Sequence, residues 1–174
     1  MTTLAWGARV STAFRARVLE LAEAFGALAD LPSWLMAVMY QESGLDPAAR
    51  NPSGAVGLIQ FMPQTAAALG VTTEQLAVMP AVQQLDYVAE YFKPWTRQAR
   101  TLEDLYGCVL WPGMIGKPDA YVVFDKADPH HPARYLQNKG LDLDADGRIT
   151  RGEVCARVQA KLALGLRRGN VWQG

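Results

Sequence analysis

The chain has 174 residues, of which 50% are hydrophobic and 20% charged, a balance typical of a compact globular domain with a sizeable core. Seventeen lysines and arginines offset seventeen aspartates and glutamates, so the formal net charge is zero. This composition excludes a disordered tail, and it lacks the strongly basic character that most nucleic-acid binders show.

Two amphipathic helices are predicted at the start of the chain. Apolar residues recur at intervals of three and four from Val10 to Leu28, with charged residues between them, which predicts a helix that buries one stripe. A second helix is expected to begin near Pro32, because proline suits the first helical turn, and to end at Gly44. Glu42 then lies in the last turn of an otherwise apolar helix.

This position makes Glu42 a candidate general acid. The negative end of the helix dipole and desolvation both disfavour the charged carboxylate and therefore raise its pKa. A carboxyl group that holds its proton near neutral pH can protonate the leaving oxygen when a glycosidic bond breaks. A solvated surface glutamate is the alternative that the position alone leaves open.

A loop and four further helices follow. Residues 46–57, DPAARNPSGAVG, are rich in Pro, Gly, Asn and Ser and predict an ordered loop. Helices are predicted over 63–69, 73–78, 80–92 and 102–109. The pair Thr72 and Gln75 has the spacing of a capping box. The pair Thr101 and Asp104 resembles one as well.

Strand signals are scarce, so a mainly helical fold is expected. The segment 121–124, YVVF, is short and β-branched and predicts either one edge strand or the apolar end of a loop. The composition changes near Asp128, where two prolines introduce a small C-terminal element. We therefore expect a larger unit at 1–127 and a smaller one at 128–174 that packs on it, the two forming one compact body.

Residues 142–153, DLDADGRITRGE, match the twelve-residue calcium loop of an EF-hand. The match predicts a side-chain or backbone ligand from each of Asp142, Asp144, Asp146, Arg148, Thr150 and Glu153. Arg148 would contribute its backbone carbonyl, and Glu153 both carboxylate oxygens. An acidic, solvated turn is the alternative. Because sensor hands work in pairs and the sequence has one such loop, we expect a single structural calcium ion that holds the C-terminal helix on the main domain.

The residues from Glu42 to Thr65, ESGLDPAARNPSGAVGLIQFMPQT, resemble the goose-type lysozyme and soluble lytic transglycosylase superfamily. The matching positions, all at the family's spacing, are Glu42, Ser43, Pro47, Ala49, Gly54, Ala55, Gly57, Leu58, Gln60, Met62, Pro63 and Thr65. The resemblance implies a lysozyme-like helical fold in which Glu42 is the single catalytic acid/base. It also implies that Gln60 and Met62 line the sugar cleft, with Gln60 near an N-acetyl group.

The chemistry of these residues agrees with that implication. Gly54 and Gly57 permit sharp turns and a close approach of the backbone to a ligand. Gln60 offers both a donor and an acceptor to an acetamido group. The alternative is a structural turn between two helices, which needs the glycines but neither the glutamine nor Glu42.

The chain departs from the family pattern in two places. Many lytic transglycosylases carry a serine nine residues after the glutamate, where this chain has Asn51, followed by Ser53. Asn51 can hydrogen-bond the Glu42 carboxyl or a substrate amide, and Ser53 is a second candidate for substrate binding. The family's Ala-Tyr-Asn-Ala-Gly run is replaced by LYGCV at 105–109, which retains Tyr106. We expect Tyr106 to supply a cleft hydroxyl that positions Glu42 or the sugar, with packing in the core as the alternative.

A single carboxylate implies a mechanism unlike that of ordinary glycosidases, which use two. Asp46 is a candidate for the second, but an Asp-Pro pair is more typical of the start of a turn. The resemblance implies instead that the 2-acetamido group of N-acetylmuramic acid stabilises the developing oxocarbenium ion. Glu42 would first protonate the leaving oxygen and then deprotonate the C6 hydroxyl, giving a 1,6-anhydro sugar. Hydrolysis, in which Glu42 activates water, is the alternative.

The chain is thus predicted to be a peptidoglycan lytic transglycosylase that acts as a monomer on glycan strands, without nucleic-acid binding or membrane insertion. No stretch approaches the roughly 20 apolar residues that a membrane helix needs, and the N-terminus does not resemble a signal peptide. We therefore expect a soluble phage product, an endolysin or a virion-associated lysin, that acts on the cell wall in the periplasm. The segment 111–124 also resembles the cleft region of phage-borne members.

Two alternatives come from other functional classes. One is a non-cleaving glycan-binding module of a phage tail or secretion machine, and the other is a calcium-dependent interaction protein. The cysteines, Cys108 and Cys155, are too few for a disulfide framework or a four-cysteine zinc site, and we expect ordinary buried thiols.

Overall fold

The computed structural model describes residues 2–26 and 28–174 and is mainly helical, which confirms the predicted fold class. The helices are α1 (Thr12–Ala24), α2 (Leu31–Ser43), α3 (Pro63–Ala68), α4 (Thr73–Ala77), α5 (Ala81–Phe92), α6 (Leu102–Leu110), α7 (Pro132–Asn138) and α8 (Arg151–Gly165). The strands are β1 (Thr3–Leu4), β2 (Val122–Asp125), β3 (Arg148–Thr150) and β4 (Trp172–Gln173). Among the described residues, no helix is both long and apolar enough to cross a membrane.

Helix α1 is shorter than the apolar pattern from Val10 to Leu28 predicted. It begins after Ser11, whose hydroxyl accepts a hydrogen bond from the Phe14 amide at 3.2 Å. Two residues of the predicted unit 1–127, Met1 and Ala27, lie outside the described residues. The buried face of α1 packs against α2 and α5.

Helix α2 runs through the middle of the core. The residues from Leu35 to Met39 are each at most 1% exposed, so this helix is enclosed on all sides and not along one stripe only. Helices α1, α6 and α8 pack around it. The predicted ends are confirmed, because Pro32 lies in the first turn and Gly44, with φ of 65°, ends the helix. Glu42 is therefore carried by the last turn of a rigid, buried helix.

Capping interactions fix the starts of the shorter helices. The Thr72 hydroxyl accepts from the Gln75 amide at 3.1 Å, and the Gln75 side chain accepts from the Thr72 amide at 2.9 Å, which confirms the capping box of α4. One half of the capping box predicted for α6 is present, since the Thr101 hydroxyl accepts from the Asp104 amide as expected. The Asp104 carboxylate, however, binds Arg151 of α8 at 3.1 Å in place of the Thr101 amide.

Two small antiparallel sheets join distant parts of the chain. Strand β1 pairs with β4, and β2 pairs with β3. Residues 122–124 of the predicted segment 121–124 therefore lie in a strand, and Tyr121 precedes it. Within this sheet Phe124 pairs with Ile149, and both side chains are buried. The boundary expected at residue 127 falls between the two paired strands, and it stays a prediction.

A buried ion pair holds the start of α8 against the helical body. Arg151 Nη2 lies 3.1 Å from Asp104 Oδ1, and the two side chains are 9% and 7% exposed. Arg151 Nη1 lies 2.9 Å from Asp119, whose side chain is 74% exposed. The Arg151 amide also donates to the Tyr121 carbonyl at 2.8 Å. The first turn of α8 is thus fixed by charge as well as by its apolar contacts with α2 and α6.

Both cysteines are free and buried. Burial raises the pKa of the Cys108 thiol, on α6, and of the Cys155 thiol, on α8, to about 12. At neutral pH both groups are therefore protonated and behave as small apolar side chains.

Candidate active site

A cleft of about 280 Å³ lies beside the last turn of α2. Glu42 and its neighbour Gln41 line it from α2, and Tyr106 and Leu110 line it from α6. The rest of the lining, here called the C-terminal wall, comes from α7, the turn that follows it, and α8. Its members are Gln137, Asn138, Gly140, Leu141 and Arg157.

The Glu42 carboxyl is partly buried in this cleft. Burial raises its pKa to about 7, because an enclosed carboxylate loses hydration. A hydrogen bond with Tyr106 acts in the opposite direction, since it stabilises the charged form. Burial is the larger effect, so the two protonation states are similarly populated at neutral pH. The group can therefore give up a proton and take one back.

Two tyrosines lie beside Glu42. Tyr106 is 4% exposed, and burial followed by the nearby charge of Glu42 raises its pKa, so it stays a neutral hydroxyl. Tyr106 thus packs in the core, and its role in positioning Glu42 or the sugar stays a prediction. Tyr91 of α5 donates to the Cys108 carbonyl at 2.7 Å, and its pKa is raised to about 12, mainly by burial. Sequence reasoning missed Tyr91, since nothing distinguishes it from a core tyrosine on an amphipathic helix.

The loop at 46–57 is held by Gln84 of α5, whose side chain is fully buried. Its Oε1 accepts from the Leu58 amide at 2.8 Å, and its Nε2 donates to the Pro47 carbonyl at 2.7 Å. At Gly57, with φ of 87°, a Cβ atom would lie 2.5 Å from Gln84 Oε1. This position requires glycine for both its backbone angle and its space.

Ser43 joins the last turn of α2 to this loop. Its hydroxyl lies 2.9 Å from the Met39 carbonyl of its own helix and 3.0 Å from the Leu58 carbonyl. The residue next to Glu42 therefore fixes the helix end relative to the loop.

Gln60 and Met62, predicted to line the sugar cleft, lie on the continuation of this loop. Gln60 has φ of 55°, and its Nε2 donates to the carbonyls of Ala49 and Gly57 at 3.2 and 3.1 Å. Its amide hydrogens thus stabilise the loop, and its contact with an N-acetyl group stays a prediction. Met62 is 44% exposed, which leaves it accessible to a ligand.

Asn51 and Asp46 shape turns of the loop. Asn51 Oδ1 accepts from the amide of Ser53 at 2.9 Å and from a second loop amide at 3.0 Å. A hydrogen bond from Asn51 to Glu42 or to a substrate amide would therefore compete with the bonds that form this turn. The role of Asn51 in substrate binding, and that of the exposed Ser53, stay predictions. Asp46 Oδ1 accepts from the amide of Ala48 at 2.8 Å, the turn geometry favoured for an Asp-Pro pair.

The C-terminal wall was not predicted from the sequence. Arg157 is an exposed residue of α8, and its Nη2 donates to the Gly140 carbonyl. Leu141 is 8% exposed and joins the core. The apolar spacing of α8 indicates that Arg157 points to its polar face, but no local signal shows that this face meets Glu42.

Three of the six predicted calcium ligands are grouped between α7 and β3. Asp142, Asp144 and Asp146 each place a carboxylate oxygen within 4.8 Å of the others. Oδ1 of Asp142 is buried and has no hydrogen-bond partner in the described part of the chain. Its Oδ2 accepts from the Tyr135 hydroxyl at 2.6 Å. Gly147, with φ of 89°, makes the sharp turn that the motif needs.

The other three predicted ligands, Arg148, Thr150 and Glu153, have other contacts. Glu153 accepts from the amides of Leu143 and Thr150, both at 2.8 Å, and forms the capping box of α8 with Thr150. It would have to leave those amides to bind a metal through both oxygens. Arg148 lies 3.7 Å from Asp125, across the pair of β2 and β3. Strand β3, which belongs to the predicted calcium loop, is thus paired with β2 and not with a second calcium loop.

Residues 22–104 match the family model of the "Transglycosylase SLT domain". The match supports a relationship to the lytic transglycosylase and lysozyme-like superfamily, and it indicates a transglycosylase whose substrate is peptidoglycan of the cell wall. It includes Glu42 and the loop, and it ends before Tyr106 and the C-terminal wall. No curated protein shows significant similarity to the chain.

Proposed function

We propose that this protein is a peptidoglycan lytic transglycosylase that cleaves the β-1,4 bond between N-acetylmuramic acid and N-acetylglucosamine, with Glu42 as its acid/base. The observation that carries the proposal is the Glu42 carboxyl in a cleft, with its pKa raised to about 7, inside the segment that matches the SLT domain. Among the described residues that line the cleft, Glu42 is the one carboxylic acid. This supports a mechanism with a single acid/base.

The proposed reaction has two proton transfers through Glu42. Protonated Glu42 gives its proton to the leaving glycosidic oxygen as the bond to C1 breaks, while the 2-acetamido group of the muramic acid stabilises the positive charge at C1. The carboxylate then takes the proton of the C6 hydroxyl as O6 bonds to C1. Glu42 returns to its starting state and no water is consumed. Tyr106 would hold the carboxyl in place through its hydroxyl.

Gln41 supplies a polar group for the substrate in the same cleft. Its Oε1 is buried and lacks a hydrogen-bond partner among residues 2–26 and 28–174. A buried acceptor without a donor is unfavourable, so a ligand hydroxyl or amide N–H at this position would restore the missing bond.

Product analysis tests the proposal. Purified peptidoglycan is treated with the protein, and the soluble products are identified by mass spectrometry. We expect anhydro-muropeptides. Reducing-end products would keep Glu42 as the acid/base but make the enzyme a hydrolase, and retention on insoluble cell wall without any released sugar would support the non-cleaving binding module.

The pH dependence of cleavage should follow the Glu42 carboxyl. Because the first step needs the protonated acid, kcat/KM is expected to fall about tenfold per pH unit above a pKa near 7. Replacing Tyr106 by phenylalanine removes the bond that lowers this pKa, so the falling limb should move to higher pH. A limb that stays in place in Tyr106→Phe would show that Tyr106 does not act on Glu42.

We also propose that the loop at 142–153 binds one structural calcium ion. The three grouped carboxylates and the unpartnered Asp142 Oδ1 fit a hard cation that prefers oxygen ligands. Glu153, Thr150 and the Arg148 carbonyl would complete the set after Glu153 reorients. The ion would fix the loop between α7, which belongs to the cleft wall, and α8, which packs on α2.

Calcium removal is expected to lower the melting temperature by about 5–10 °C, since a ligand that binds only the folded state stabilises it by mass action. Scanning calorimetry with chelator, and then with calcium or magnesium added back, measures this. Calcium should restore the melting temperature and magnesium should not. Asp144→Asn should lose the response, whereas Asp128→Asn, outside the loop, should keep it. A melting temperature that chelator leaves unchanged would contradict a structural role.

A phage origin, as an endolysin or a virion-associated lysin, also stays a prediction. Its support is the resemblance of the segment 111–124 to phage-borne members of the superfamily.

A further inference from the structure

We propose that Arg157 forms an anion subsite of the cleft, which binds a carboxylate of the peptide stem carried by muramic acid. The proposal rests on the proposed function and names the part of peptidoglycan that the C-terminal wall recognises.

The charges of the cleft point to this role. Among the described residues of its lining, Glu42 is the acidic one and Arg157 the basic one. The other polar side chains are the neutral Tyr106 hydroxyl and three amides, Gln41, Gln137 and Asn138. Glu42 is protonated when it acts as an acid, so the cleft then carries one full positive charge. Such a cleft favours an anionic substituent over a neutral one.

The guanidinium of Arg157 is oriented for a ligand. Its Nη2 donates to the Gly140 carbonyl, which fixes the side chain against the turn after α7. An arginine has five N–H donors, and no second protein acceptor for Arg157 occurs within the described residues. Its exposed side chain can present the remaining donors to a carboxylate, which matches the planar fork of a guanidinium.

Arg157 also lies in the same cleft as Glu42 and Tyr106. Its charge acts on Tyr106, where it opposes the larger effect of burial. A group bound by Arg157 would therefore lie near the reacting muramic acid and not at a remote end of the glycan.

The chemistry of the substrate identifies the anion. Along an N-acetylated glycan strand the sugars themselves are neutral, and the free carboxylates are those of the peptides attached to the lactyl ether of muramic acid. An arginine beside the acid/base therefore suits the stem and not the sugar backbone. Because the C-terminal wall lies beyond residues 22–104, this recognition would come from the C-terminal element and not from the segment that matches the SLT domain.

The test compares two substrates with the protein. One is peptidoglycan with intact stems, and the other is the same peptidoglycan after its peptide carboxylates have been converted to neutral amides with a carbodiimide and excess ammonia. For Arg157→Gln we expect kcat/KM on the substrate with free carboxylates to fall about tenfold through KM, while kcat/KM on the amidated substrate changes by less than about twofold. Arg157→Lys should restore part of the loss, since it keeps the charge without the fork.

Arg168→Gln, which removes an exposed arginine beyond the end of α8, is the matched control and should leave both rates unchanged. Thermal unfolding shows whether each variant is folded. Equal losses on both substrates, or no loss on either, would overturn the proposal. If the unmodified protein cleaves neither substrate, the proposed function fails. Calorimetric binding of soluble fragments with free carboxylates, compared with the same fragments after amidation, then decides the subsite separately.

Discussion

Replacing Glu42 by glutamine is expected to lower the rate of glycan cleavage by about 10³-fold or more, because general acid and base steps each contribute roughly 10²–10⁴-fold and the amide can perform neither. The two side chains have nearly the same shape, so the cleft should be preserved. The rate of release of soluble sugar from purified peptidoglycan measures the effect.

The same substitution should stabilise the protein at alkaline pH. Folding raises the pKa of Glu42 from 4.5 to about 7, so between these values the folded state binds more protons than the unfolded state, and stability falls as the pH rises. The loss is complete above pH 7 and amounts to about 3 kcal/mol at 1.36 kcal/mol per pH unit. Glutamine does not titrate. The difference in free energy of unfolding, Glu42→Gln minus the unmodified protein, should therefore increase by about 3 kcal/mol between pH 4 and pH 8.

Glu23→Gln, at an exposed position on α1, is the control for the cleavage rate and should leave it unchanged. A Glu42→Gln protein that keeps more than about a tenth of the activity would contradict the assignment of the acid/base. A relative stability that does not change with pH would contradict a raised pKa.

Replacing Arg151 by methionine is expected to lower the free energy of unfolding by about 3–5 kcal/mol, which is the usual cost of leaving one member of a buried ion pair alone. Methionine fills a similar length, so the loss comes mainly from Asp104, whose side chain is 7% exposed and would be left without its ion-pair partner. Urea denaturation measured by circular dichroism gives the value.

Asp119→Asn is the matched control for this substitution. It removes the other carboxylate bound to the same guanidinium, but Asp119 is 74% exposed, so the expected loss is less than about 1 kcal/mol. Similar losses in the two variants would show that burial of the Asp104 pair does not decide its contribution. A further check compares Arg151→Met with the double variant that also carries Asp104→Leu. Because the double variant removes both charges, it should recover much of the stability that Arg151→Met loses.

The features that the sequence predicted correctly have local causes. The end of α2 follows from Gly44, which takes up the left-handed backbone that ends a helix, and the start of α4 follows from the side chains of Thr72 and Gln75. The place of Glu42 in the last turn of α2 follows from the same helix end. Each of these signals lies within a few residues of the feature it predicts.

The features that the sequence missed depend on contacts between distant segments. Asp104 has the spacing of a capping residue, but its carboxylate binds Arg151 of α8 and not the Thr101 amide. Gln84 looks like an ordinary polar residue of α5 until the loop folds over it. Arg157 is an exposed arginine in the helical pattern, and only the packing of α8 on α2 brings it to the cleft of Glu42.

The loop that Gln84 holds has neither helix nor strand over 46–57 apart from isolated bridges. The buried Gln84 side chain nevertheless binds the Pro47 carbonyl near its start and the Leu58 amide just after its end. Ordering a flexible segment when a ligand binds costs conformational entropy and weakens affinity. Here that entropy is already lost when the protein folds, because the buried amide fixes the loop before any ligand arrives. A glycan that binds beside Glu42 would therefore meet a preorganised surface, and the entropy lost on binding would fall mainly on the sugar chain itself.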